Sequence, residues 1–279
     1  MEKNKFDRAM EMDDADFHRL CGFSKNTMLK MVAILREAYE AKHKRRGRNS
    51  KLDVADMLML ACKYWREYVT YFSLANEYGV AESTAHDITV WVENVLIKSG
   101  KFGLPGKKKL LTGEGLKVIV VDVTESPVER PKHGQKRWYS GKKKRHTIKT
   151  QIVICAKSLL VIAIFVDCGK THDFEIWKKS IGAKVVKHIK IQGDSGYQGI
   201  VKLHNNSETP KKKAKKQKLT KEDKANNRRI GSERVVIEHV NRWLKRLRII
   251  AERYRNRRKR FGLRVSLFCG LHNFELLNY

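Results

Sequence analysis

Acidic residues are in short supply: 30 Asp and Glu stand against 60 Lys and Arg, a net charge of +30 over 279 residues. Long apolar runs are missing as well. No stretch approaches the ~20 apolar residues a membrane-spanning helix needs, so no such helix is expected. The opening MEKNKFDRAMEMDDADF carries no apolar segment of the signal-peptide kind. Secretion is therefore not expected, and an intracellular location in cytoplasm or nucleoid is. The five cysteines (Cys21, Cys62, Cys155, Cys168 and Cys269) form no CxxC and no Cys/His cluster at zinc-finger spacing. An odd count without a leader reads as reduced thiols, and a structural zinc site is not expected. Walker loop, GxSxG elbow and HExxH are all absent, which leaves no support for the chemistries those motifs carry.

What is present is enough apolar sequence, 41% against 32% charged residues, for a globular protein with a real core, and enough chain for roughly two domains. The excess positive charge calls for a polyanionic partner, nucleic acid before membrane.

Residues 1–40 read as helical, with Ser24 as N-cap of a segment whose Met28, Met31, Val32, Leu35 and Tyr39 follow helical spacing. KHKRRGRNSK (Lys42 to Lys51) is a basic connector, either a solvated linker or a phosphate contact. Three more helical pieces follow: LDVADMLMLACKYW, TYFSLANEYG and ESTAHDITVWVENVLIK. The last two, about residues 70–98, read as a helix-turn-helix. Gly79 stands at the turn, Ala75 lies four residues before it, and Leu74, Tyr78, Val80, Ala85 and Ile88 fall where two helices would pack. The second helix would carry Glu82, Ser83, Thr84, His86 and Asp87 toward a DNA groove. An ordinary helical hairpin is the alternative on this pattern.

After a loop, Ser99 to Gly113, the period changes. LKVIVVDV, HTIKTQIVIC, LLVIAIFVD and VVKHIKIQGD read as strands, and DFEIWKKSIG, between the third and fourth, as a helix. This is an α/β (α+β) domain with a mixed sheet. The lysine-rich stretch about residues 201–230 has no apolar period and reads as an insertion or loop. Ser232 to Ile250 is amphipathic, with Val236, Val240, Trp243, Leu244 and Leu247 on one face and Arg234, Glu238, Asn241, Arg242 and Lys245 on the other.

Three carboxylates stand out. Asp122 interrupts the strand VIVVDVTE, and a buried carboxylate costs several kcal/mol unless paired or metal-bound. Asp194 follows a strand into the glycine-rich turn GDSGYQG, at the sheet end where sites in open sheets lie; alone, it equally suits a turn residue bonding its own backbone. Glu238 alone suits a solvent-facing helix with an Arg234–Glu238 pair four residues apart. Together, two aspartates at strand ends and a glutamate on a later helix can converge on two divalent ions and serve phosphoryl transfer.

In this light the sequence resembles the DDE transposases of bacterial insertion sequences, most closely the insertion-sequence-five group. The matching stretches are VVDVTESPVERP, QKRWYSGKKKRHTIKTQIVI, the His172-Asp173 pair, GDSGYQGI and RVVIEHVNRWLKRLRIIAERYRNRRKRF. Arg234, Glu238 and Lys245 keep the spacing of the family's hallmark, but Gly231 stands where tyrosine is expected. The resemblance covers about Gly115 to the C-terminus, and the helix-turn-helix is typical too. It implies a ribonuclease-H-like catalytic domain over 101–279, preceded by a helical DNA-binding region over 1–100. It also implies Asp122, Asp194 and Glu238 as a triad for Mg²⁺ (or Mn²⁺), two ions per site, with Arg234 and Lys245 as fixed cations near the phosphate. Trp138, Tyr139, Lys142, Lys143, Lys144 and Arg145 become candidates for clamping a DNA end, with a partly exposed basic strand edge as the alternative. Ser83, Thr84, His86, Arg242, Arg255, Arg257 and Arg258 complete the candidate DNA contacts. RYRNRRKR would be a basic loop leading into a helix packed on the core.

The implied function is metal-dependent cleavage at insertion-sequence ends and strand transfer into target DNA, by a homo-oligomer assembled on DNA, with no membrane partner. A catalytically silent regulator and a nuclease that does not join strands are the alternatives. Residues 1–100 hold 16 Lys and Arg against 15 Asp and Glu; residues 101–279 hold 44 against 15, and Lys211 to Arg260 hold 21 against 5. The excess thus falls on the expected catalytic part, as counter-charge for DNA around a carboxylate site. The expected outcome is that affinity of residues 101–279 for DNA drops steeply with salt; a shallow slope there, with the steep one in residues 1–100, contradicts this placement.

Overall fold

Side-chain caps start the first helices where the sequence supplies short polar residues. Asn4 accepts from the Asp7 amide (2.8 Å), Asp13 from Asp16 (2.9 Å), Asp53 from Ala55 (3.0 Å) and Thr70 from Ser73 (3.1 Å), each satisfying an otherwise orphaned N–H. They open α1 (Lys5–Met10), α2 (Asp14–Cys21), α4 (Val54–Glu67) and α5 (Tyr71–Tyr78). Ser24 caps α3 (Lys25–His43) through the Thr27 amide, 3.3 Å. The computed structural model describes residues 4–43, 50–181, 184–213 and 218–278. Most of the basic connector (44–49) and part of the lysine-rich stretch (214–217) lie outside them.

The chain forms two units. One comprises Met1–Gly103, Lys245–Glu252 and Leu267–Tyr279; the other comprises Leu104–Leu244 and Arg253–Ser266. The first is helical and includes α6 (Glu82–Lys98), the short α11 (Arg248–Ala251) and most of α12 (Phe261–Leu277). Its core is built on Phe17, Phe23, Trp65 and Phe268, all fully buried. The Trp65 ring meets Phe23 and Phe268 edge-on, at 6.4 and 5.4 Å, and its indole N–H donates to Glu93 (3.1 Å). Glu275 accepts from the Ser24 amide (2.6 Å) and the Thr27 hydroxyl (3.2 Å). Phe268 and Leu271, near the C-terminus, are buried and belong to this helical unit.

Within that unit, α5 ends at Gly79 in the left-handed conformation (φ 63°), which glycine adopts without a Cβ penalty. The Val80 amide then closes the turn on Ala75 O at 3.0 Å, and Leu74, Tyr78, Ala85 and Ile88 are buried. This is the helix-turn-helix the spacing predicts, with Glu82, Ser83, Thr84, His86 and Asp87 exposed on α6.

The second unit is a mixed sheet with helices. Its strands are β1 (Val118–Pro127), β2 (Tyr139–Ser140), β3 (Arg145–Cys155), β4 (Val161–Cys168), β5 (Lys190–Gly193) and β6 (Ser207–Glu208). β4, β3 and β1 run antiparallel in that order, and β5 and β6 continue parallel to β1. This is the ribonuclease-H-like order. One face of the sheet carries Ile119, Val121, Val153 and Ile191, which pack with Trp177 of α9 (Asp173–Ser180). α8 (Gln135–Trp138) leads into β2, and α10 (Lys221–Lys245) is 25 residues long.

Two expected loops are partly helical. Gly106–Thr112 forms α7 because Leu110 is buried in the sheet's core. The lysine-rich stretch gives way to α10 at Lys221 because Thr220 and Asp223 cap each other reciprocally, at 3.0 and 3.2 Å, and Ile230 is buried. No helix among the described residues is long and apolar enough to cross a membrane.

Gly270 offers a direct check on the C-terminal helix as part of the helical unit, since a Cβ there would collide with the backbone carbonyl of Phe102. Gly270→Ala is expected to destabilise the protein by at least roughly 2 kcal/mol, read as a lower urea midpoint; an unchanged midpoint contradicts this packing.

Candidate active site

β1 and β5 pair in parallel from Val118 opposite Lys190 to Val121 opposite Gly193. The next residues in register are Asp122 and Asp194, so two carboxylates stand on neighbouring strands at the carboxyl end of β5. Side chains alternate across a strand; Val121 faces the apolar core and Asp122 the opposite side.

α10 lies on that opposite side. Arg234, Glu238 and Asn241 recur at four and three residues, so they share one helix face. Arg234 Nη2 lies 3.4 Å from Asp122 Oδ1, and Asn241 Nδ2 donates to Asp122 Oδ2 at 3.0 Å. Both oxygens of one carboxylate are thus taken by one helix. This corrects the helical-wheel reading twice. The buried stripe of α10 is Ile230, Ile237, Val240, Asn241 and Leu244, so Asn241 belongs inside, not with the solvent face. Arg234 turns to Asp122, and among the described residues Glu238, exposed, makes no ion pair with it.

Burial is the largest influence on Asp122, whose side chain is 16% exposed, and it pushes the carboxyl up to about 6. Arg234 pulls it down, while Asp194 and Glu238 push it further up. Both of the other acids therefore act electrostatically on Asp122. Asp194 Oδ1 accepts from the Gly196 amide (2.8 Å), which fixes it at the head of the 3-10 turn Ser195–Tyr197. A Cβ on Gly196 would crowd both Asp194 Oδ1 (2.8 Å) and Asp173 Oδ2 (3.1 Å). Asp173 is a fourth carboxylate at the site's edge, held by the nearly buried Lys149 at 2.7 Å. Lys149 also donates to Thr171 O at 2.8 Å and lies 3.9 Å from Glu125.

Among the described residues no three acids or imidazoles lie close enough together to enclose a metal ion. The chemistry of the donor set nevertheless fits a hard divalent cation: the acids are oxygen donors only, and the buried Asp122 anion is opposed by its surroundings. A cation offsets that cost.

The remaining candidates are dispersed. Lys142, Lys143, Lys144 and Arg145 are exposed at the β2–β3 turn. Tyr139 is 42% exposed with its ring edge toward His146. Trp138 is half-buried, and the Arg258 guanidinium lies 4.6 Å from its ring centre, so one stacking face is already taken by a cation. Arg242, Lys245, Arg255 and Arg257 are exposed; Lys245 closes α10 within the helical unit. The basic loop around Arg255–Arg258 is anchored by buried Tyr254, whose hydroxyl donates to Lys259 O (2.6 Å) and accepts from Arg264 (2.7 Å). Gly231 is exposed, with open space where a side chain would stand.

A cleft of about 1250 Å³ is lined by Lys132, Lys136, Arg137, Lys170, His172 and Lys179. Its basic residues are spread over three segments, so no charge run announced it. Asn241 was legible only as the third member of the Arg234–Glu238 face.

Two known families match the chain. Residues 121–273 match the DDE superfamily endonuclease, and residues 50–102 match the helix-turn-helix of DDE superfamily endonuclease. A protein of Microchaete diplosiphon described as "Probable transposase for insertion sequence element IS702" is 45% identical over 273 residues, 98% of each chain. A Streptomyces albus G protein described as "Putative transposase for insertion sequence element IS112" is 27% identical over 179 residues, 64% of each.

The raised Asp122 equilibrium has a stability consequence. From the ordinary 3.8 to about 6, ionisation is roughly 3 kcal/mol less favourable in the fold than in the unfolded chain. That cost already includes the help from Arg234. It is absent below pH 4, develops as pH rises toward 6 and is complete above it. In metal-free buffer, Asp122→Asn is therefore expected to stabilise the protein by about 1–3 kcal/mol at pH 7.5, the gain vanishing near pH 4; a variant less stable than wild type at pH 7.5 contradicts this.

Proposed function

The chain belongs to the DDE superfamily of endonucleases, an enzyme of the transposase type, and from that premise we propose that it cuts DNA at the ends of an insertion sequence and joins the freed 3′-hydroxyl to target DNA. The observation that supports this most is the pairing of Asp122 and Asp194 in adjacent register, with the Glu238 helix fastened to Asp122 through Arg234 and Asn241.

Asp122, Asp194 and Glu238 would hold Mg²⁺ or Mn²⁺, two ions per site. When bound, such ions activate the attacking oxygen and offset charge on the leaving one. The protein's own contribution is placement. Register fixes the two aspartates, the Gly196 amide orients Asp194, and Arg234 and Asn241 orient Asp122. Arg234, nearly buried beside Asp122, is a fixed cation where phosphate charge develops, so it need not reorganise during the reaction. Lys245 serves the phosphates of the terminal nucleotides.

DNA contacts divide by task. Ser83, Thr84 and His86 on exposed α6 read base edges of the terminal inverted repeats. Lys142, Lys143, Lys144 and Arg145, with Tyr139 and Trp138, engage a DNA end. Arg242, Arg255, Arg257 and Arg258 contact phosphates, as does the basic cleft at His172. Because a transposition event needs two ends and a target, the active form is a homo-oligomer on DNA.

The test is incubation with an end-containing duplex and Mg²⁺, comparing wild type with Asp122→Asn, Asp194→Asn and Glu238→Gln. Wild type is expected to nick and join; each variant is expected to lose both by at least about 10³-fold while retaining DNA binding. Wild type that binds but never nicks makes the protein a regulator, and nicking without joined product makes it a nuclease.

A further inference from the structure

Asn241 is 6% exposed, and its side chain has two ends with different fates. A carboxylate accepts hydrogen bonds, so the amide must turn its nitrogen to Asp122, which fixes the orientation of the group. The Nδ2 end is satisfied at 3.0 Å. The Oδ1 end is buried and has no hydrogen-bond partner among the described residues. An orphaned buried amide oxygen costs about 1–3 kcal/mol; Arg234 Nε, on the same helix, is the other buried α10 side-chain atom without a partner among the described residues.

Covalent geometry limits where that oxygen lies. It shares a carbon with Nδ2, so it is less than about 6 Å from Asp122 Oδ2. Two oxygens ligating one divalent ion are separated by up to roughly 4–5 Å, since each bond is about 2.0–2.6 Å. The oxygen is therefore within a small side-chain adjustment of any cation held by Asp122. Neutral amide oxygens are ordinary ligands for hard cations, and one of them adds coordination without adding to the repulsion among Asp122, Asp194 and Glu238. Asn241 also sits three residues after Glu238, one helical turn on, so one helix presents both donors.

We propose that Asn241 is a fourth oxygen ligand of the divalent cation site, its Oδ1 binding the ion directly or through one water while its Nδ2 holds Asp122 in position. This rests on the reading that the three acids bind a divalent cation. An account with carboxylate ligands alone explains the Nδ2 end of Asn241, which holds Asp122, but leaves its buried Oδ1 end without a role.

The test measures Mn²⁺ binding to the full-length, DNA-free protein, by electron paramagnetic resonance of free Mn²⁺, with thermal midpoints in metal-free buffer alongside. Wild type is compared with Asp122→Asn, Asn241→Leu, Asn241→Ala and Asn241→Asp. Expected are binding by wild type, loss of that binding in Asp122→Asn, and affinity at least tenfold weaker in Asn241→Leu and Asn241→Ala. The Asn241→Leu midpoint should equal or exceed that of wild type, and Asn241→Asp, which keeps the oxygen and loses the donor, should bind within threefold of wild type or tighter. If Asn241→Leu does not fold, Asn241→Ala carries the comparison. Affinity within threefold of wild type in the apolar variants overturns the proposal, as does a tenfold loss in Asn241→Asp, which would leave Asn241 only as a prop for Asp122. No Mn²⁺ binding by wild type overturns the divalent-cation reading itself.

Discussion

A carboxylate in the middle of a buried strand has to be held, and the way Asp122 is held organises the catalytic unit. Its two oxygens are taken by Arg234 and Asn241, two turns apart on α10. That pair of bonds fixes the rotation of a 25-residue helix against the sheet, and the rotation places Glu238 on the same face as the two anchors. The parallel pairing of β1 with β5 brings Asp194 alongside. Without the anchors, an amphipathic helix with a continuous apolar stripe could turn by tens of degrees and still bury Ile237, Val240 and Leu244. The polar contacts specify one orientation, a role buried polar groups can fill even where they add little stability.

The same arrangement is costly to the fold, and the charge pattern shows how the sequence lives with it. Asp122 is disfavoured as an anion by burial and by Asp194 and Glu238, with Arg234 and, after it, the Val123 amide opposing them. Basic residues crowd this part of the chain, 44 Lys and Arg against 15 acids over residues 101–279. They are mostly exposed at the β2–β3 turn, along α10 and in the loop anchored by Tyr254. Exposed cations do little for a buried acid but much for a polyanion that must approach it. Asp122, a largely buried acid, is thus accompanied by exposed bases, the arrangement a bound polyanion calls for.

Much of this was legible in the sequence because each signal had a single structural meaning. Apolar β-branched runs made β1, β3 and β4; Gly79 between two apolar patterns made the helix-turn-helix turn; Asp122 within VIVVDV was conspicuous as a charge in a strand. The misses share a physical origin too. A wheel drawn from hydrophobicity puts Asn241 on the polar face with every other polar residue, whereas a buried acid needs a polar partner inside. The helix at Gly106–Thr112 was hidden by its three lysines, since only Leu110 points to the core. The packing of the C-terminal helix is not legible locally, because Phe268 and Glu275 find their partners, Trp65 and Ser24, some 200 and 250 residues earlier.

The central claim is that Asp122, Asp194 and Glu238, oriented by α10 and the β1–β5 register, make one divalent-cation site for cutting DNA. Anomalous scattering from crystals of the wild-type protein soaked in Mn²⁺ tests it most directly. The account predicts Mn²⁺ bound by oxygens of Asp122 and Asp194 at about 2.0–2.6 Å, with Glu238 drawn to the same centre. Full Mn²⁺ occupancy elsewhere on the chain, with Asp122 still bonded only to Arg234 and Asn241, would contradict it.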